Sequence, residues 1–188
     1  NAGFYFEDGI LELVFDGDEL SAWINGTKTL ALDGLAGYFS DKSVVKLGGY
    51  LYSWGRSSTR ASVDDVALYD YARSGEEIAA SYLGWAEFTY DAARRPEIYY
   101  DFSEAAADNT VKNLGTASGA DGRIVAGTVD GNPDVYIENG KLVIANEKTA
   151  AKDGGYFRLP DDMFAGRTEW SMQFTISNLN FDNQDNGL

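Results

Sequence analysis

The chain contains neither cysteine nor histidine. Without cysteine there is no disulfide frame, no thiolate nucleophile and no thiolate zinc site. Without histidine the usual general base near neutral pH is missing, and with it the Ser/His/Asp triad and nearly all zinc and iron centres. Long apolar runs are absent too: none nears the roughly 20 residues of a membrane-spanning helix, so membrane insertion is not expected. Basic residues are few, 15 Lys and Arg against 30 Asp and Glu, for a net charge of −15 and a pI of about 4.2. Such a surface repels phosphate backbones and anionic lipid, so nucleic acid is not an expected partner. It leaves carboxylates for a hard cation such as calcium, although a solvated acidic surface accounts for most of them. No signal peptide is visible, and the residues after Asn1 already read as strand, so Asn1 is not expected to be a natural translation start.

What is present is an ordinary apolar fraction, 44% of 188 residues, enough for one sizeable β domain. The dominant hydrophobic period is two. Residues 4–6, 10–15, 19–24, 27–30, 44–49 and 62–69 read as strands separated by Glu7-Asp8-Gly9, Asp16-Gly17-Asp18 and Asn25-Gly26, all turn chemistry. One short helix is expected after Ser74, with Glu76 and Glu77 in its first turn and Gly84 as its stop. Residues 85–97 read as a linker. Strands resume at 98–102, 123–125, 135–137, 141–144, 156–159 and 170–176, with an ordered loop over 105–122. Short strands joined by Gly/Asn/Asp turns predict an all-β antiparallel sandwich, a jelly roll with one short helix.

The segment Ala61-Ser62-Val63-Asp64-Asp65-Val66-Ala67-Leu68-Tyr69 leading into Ala72-Arg73-Ser74-Gly75-Glu76-Glu77-Ile78 resembles the closing strand and helix of laminin-G-like, concanavalin-A-like jelly rolls. Leu13 to Gly26, ending Trp23-Ile24-Asn25-Gly26, and Leu47-Gly48-Gly49 are similar to that family's preceding strands. Tyr99-Tyr100-Asp101-Phe102, Val111-Lys112-Asn113-Leu114-Gly115, Asp121 to Val125, Gly140 to Ile144, Tyr156 to Pro160 and Trp170 to Ile176 are similar to its opening half. The order is reversed. The resemblance implies a closing half at 1–84, the linker at 85–97 and an opening half at 98–188, together about one domain. The halves complete each other either within one chain or between copies, the second case giving a head-to-tail filament.

The resemblance also implies a structural calcium held by Asp64, Asp101, Asn113 and Asp121; the competing reading has Asp101 and Asn113 capping turns and Asp64 paired with an arginine. Tyr50, Tyr52 and Trp54 share one face of an extended segment and are the candidate ligand-binding residues for a glycan, with core packing as the commoner role of such rings. Trp23, Trp85 and Trp170 read as packing residues. The paired carboxylates at E-x-D-x-x-E spacing used by glycosidases of this fold are absent, so no enzyme is expected. Asn25-Gly26-Thr27 forms a glycosylation sequon at a hairpin tip. The expected function is therefore that of a non-catalytic extracellular or cell-surface module. It is either a structural and adhesive building block that meets copies of itself or a cell-surface ligand, or the carbohydrate-binding module of a secreted enzyme or adhesin.

Overall fold

The computed structural model describes residues 8–39, 43–48, 57–83, 95–129, 132–145 and 155–183. The first half supplies β1 (Gly9–Phe15), β2 (Leu20–Ile24), β3 (Thr27–Leu32), β4 (Lys46–Gly48), β5 (Ser57–Tyr69) and α1 (Gly75–Leu83). The second supplies β6 (Ile98–Tyr100), β7 (Thr110–Val111), β8 (Gly122–Val125), β9 (Thr128–Val129), β10 (Asn132–Pro133), β11 (Val135–Glu138), β12 (Lys141–Ala145), β13 (Tyr156–Arg158) and β14 (Trp170–Asn183). The architecture is the antiparallel β sandwich that the period-two pattern calls for.

The turns follow from short-range chemistry. The Asp16 carboxylate accepts the N–H groups of Asp18 and Glu19 at 3.1 and 2.9 Å, and Gly17 takes a φ of 105°. Those two N–H bonds hold the Asp16 carboxyl below the usual aspartate range. Asn25 and Gly26, at φ 50° and 80°, close β2 onto β3, and Asn139 and Gly140, at 53° and 73°, close β11 onto β12.

A large sheet runs β11-β12-β5-β14-β1-β2-β3, with β6 continuing the β12 side of β5; a smaller sheet runs β4-β13-β8-β7. Strands of both halves share the large sheet. β14, from the second half, lies between β5 and β1 of the first, and every neighbouring pair is antiparallel. The core between the sheets gathers Phe15, Val66, Leu68, Leu142, Trp170, Met172 and Phe174 from the large sheet and Val111, Ile124 and Phe157 from the small one.

The alternation that sends Leu11, Leu13 and Phe15 inward sends Ile10, Glu12 and Val14 to the opposite face, where they are also buried. α1 lies against this second face. Its start carries a reciprocal cap: Glu77 N–H donates to Ser74 Oγ at 3.3 Å, and Ser74 N–H donates to Glu77 Oε2 at 2.9 Å. Gly75 sits so close to the Trp23 ring that a Cβ there would be 2.8 Å from it, so Trp23 packs on the start of α1.

Candidate functional site

Of the four oxygens-bearing residues expected to hold calcium, two are brought together. Asn113 N–H donates to Asp121 Oδ1 at 3.0 Å, and Asp121 Oδ2 meets Lys112 Nζ at 2.5 Å. The lysine contact and the N–H bond hold the Asp121 carboxyl below its usual range. The Asn113 amide is satisfied on both ends: Oδ1 accepts Tyr99 and Gly115 N–H groups at 2.8 and 2.9 Å, and Nδ2 donates to the Glu97 and Ala117 carbonyls at 3.0 and 2.7 Å. Asp101 Oδ1 accepts the Ser103 N–H at 3.0 Å, holding the turn that places Phe102 in the core at a φ of 50°. Asp64 faces Lys141 Nζ at 2.8 Å, a lysine where an arginine partner is the competing expectation. Each of these donors is oriented by its own partner, and among the described residues no group of three or more carboxylates is placed to hold a metal ion. Tyr50, Tyr52 and Trp54 lie outside the described residues, as do Phe4 to Phe6, Trp85 and linker residues 85–94. At the linker's described end Pro96 is buried, and Glu97 N–H donates to the Leu68 carbonyl at 2.9 Å.

Asp65, next to Asp64, is different. Its carboxyl bonds to Thr175 across the sheet, and burial, reinforced by the charges of Asp64 and Asp101, raises its pKa. A carboxylate raised in the fold adds stability below its ordinary value of 3.8 and loses that contribution as pH rises through the folded value. Asp65→Asn, which keeps an acceptor for Thr175, is therefore expected to raise the melting temperature at pH 7. The gain should be on the order of 2–4 °C, the effect of about 1 kcal/mol in a chain of this size, and should vanish near pH 3. Calorimetry at both pH values checks this.

Two buried polar clusters are not legible as sites in the sequence. In the first, Glu12 on β1 and Arg73, ahead of α1, form a bidentate pair with Nη1 at 3.0 and 2.9 Å from the two carboxylate oxygens. Nη1 also donates to Gln173 Oε1 at 3.0 Å, and Nη2 donates to the Glu77 carbonyl at 3.2 Å and to Ser81 Oγ on α1. The guanidinium lies over the Tyr69 ring, 4.7 Å from its centroid. The only sequence signal is that Glu12 falls in phase with Ile10 and Val14. In the second, buried Asp134 accepts the Gly127 and Gly155 N–H groups at 2.9 and 2.6 Å, tying the ends of β8 and β13 to β11. Both clusters direct their charge at fixed internal donors, so their chemistry is that of holding elements together. No family model matches the chain, and neither does any curated protein or solved structure.

Proposed function

We propose that the chain is a non-catalytic extracellular building block: a laminin-G-like sandwich whose two halves, in reversed order, complete one another and can do so between copies. The observation that carries this reading is the place of β14. It pairs along β1 over Gly9–Phe15 and along β5 as far as Ser57, so neither half has a closed sheet without the other. A first half alone leaves the edges of β5 and β1 bare, and bare edges recruit strands. The registers that close the sheet within a chain are equally available to a neighbour's β14. Exchange of that kind is a low-cost route to assembly, and repeated head to tail it builds filaments. The buried acids support a non-catalytic role, because Glu12 and Asp134 each serve a structural partner.

Light scattering on the full chain tests this. Material refolded from denaturant at high concentration should contain large species that resist salt and persist on dilution, because leaving them requires unfolding. A monodisperse monomer at every refolding concentration would overturn the proposal.

A further inference from the structure

Strand β3 ends the large sheet, and among the described residues nothing pairs with its outer side. All six of its residues are exposed, Leu30 by 40% and Leu32 by 49%. Natural edge strands are normally blunted by charge, proline or shortness. The opposite edge, β11, follows this pattern: it has four residues, begins beside buried Asp134 and ends on Glu138. β3 does not. From Leu20 to Leu32 there is no acidic residue and no proline, in a chain with 30 acids. The one charge in that window, Lys28, is neutralised within its own chain by Glu19 at 2.5 Å. The register shift between Ala22 and Trp23 irregularises only the Thr27–Lys28 end; Leu30, Ala31 and Leu32 stay in regular register with Ala22, Ser21 and Leu20.

We propose that β3 is a homotypic docking edge: two copies pair their β3 strands antiparallel about a two-fold axis near Ala31, joining the two large sheets into one. A second copy fits because, for two bodies of charge −15, a charge-balanced window is where like repels like least. A two-fold edge pairing is also self-complementary, and it sets Leu30 of each copy near Leu32 of the other. This rests on the reading of the chain as a unit that meets copies of itself, but it uses a different surface, since exchange of halves occupies β1, β5 and β14.

The absence of cysteine makes single-cysteine variants clean reporters. Cysteine placed in turn at Thr29, Leu30, Ala31 and Leu32, with Glu104→Cys as an exposed control, is oxidised in the full native chain. Disulfide formation requires Cα atoms about 4.4–6.8 Å apart, so one or two β3 positions should form covalent dimer at least about tenfold faster than the others and the control. Sedimentation equilibrium of the unmodified chain should show a rapidly reversible dimer that Leu30→Lys weakens about 100-fold, because each copy then sets a charge against Leu32 of the other and the two lysines lie on the diagonal across the axis. Equal cross-linking at β3 and control positions, or equal association of the unmodified chain and Leu30→Lys, overturns the docking edge. If association persists unchanged in Leu30→Lys and reverses only on unfolding, exchange of halves stands and the β3 edge falls. A monomer that instead binds an added extended peptide along β3 assigns the edge to a foreign strand and overturns homotypic pairing. A monomer in every arm removes both readings.

Discussion

Arg73→Met is expected to destabilise the fold by about 3–5 kcal/mol, because it leaves the Glu12 carboxylate buried without its cation. The loss should depend on pH. Burial pushes the Glu12 carboxyl up to about 7 even with the Arg73 guanidinium beside it. A carboxyl raised in this way contributes stability that is complete below its ordinary value of 4.5 and disappears as pH rises through 7. Without Arg73 the charged form is less tolerable still, so Arg73→Met should lose more at pH 8 than at pH 5. Urea unfolding at the two pH values measures this, and Glu12→Leu combined with Arg73→Met should recover most of the loss, since removing both partners leaves no orphaned charge. A loss under about 1 kcal/mol, or one equal at both pH values, would mean that water reaches the pair.

Phe157→Ala is the second large effect, again about 3–5 kcal/mol. Phe157 is fully buried on β13 and meets the rings of Tyr100 and Phe102 edge-on, each at 5.2 Å between centroids. Its ring therefore connects the middle of the small sheet to β6 of the large one. Gly122 on β8 makes room for it: a Cβ there would lie 2.2 Å from Phe157 Cζ. Gly122→Ala alone should therefore destabilise, whereas in the Phe157→Ala background the same methyl enters the vacated space and its cost should largely disappear. Additive losses in that double-mutant cycle would show that the two positions do not share the space.

The sequence carried the sandwich better than its sites. Alternation marked β1, β2 and β12 closely, because their core-facing apolar residues recur at every second position, and it marked β3 as well, although all six of its residues are exposed. The Ser74–Glu77 cap marked α1, because capping is local chemistry with a fixed spacing. Less legible were the lengths of β5 and β14, which run on as paired strands through polar stretches such as Ser57-Ser58-Thr59-Arg60, where the backbone ladder continues without an apolar alternation to mark it. The two-residue strand β7 reads as loop for a similar reason: it is too short to show a period. Of the expected metal ligands, spacing could not foresee that Lys112 and Lys141 would reach Asp121 and Asp64, since both contacts join residues distant in sequence or set by a hairpin. The Glu12–Arg73 pair spans 61 residues, and nothing local announces such a partner.

The wedged position of β14 also dictates a timetable. On the ribosome, β1 and β5 emerge well before the strand that must lie between them, and the central ladder of the large sheet cannot form until residues 170–183 have been made. Contacts of such long range close slowly, and in the interval two complementary strand edges stay open on the nascent chain. Neighbouring nascent chains on one message would present the same open edges to each other, so, where copies exchange strands as proposed above, translation rate and chaperone supply, more than final stability, should set the ratio of self-closed to exchanged product.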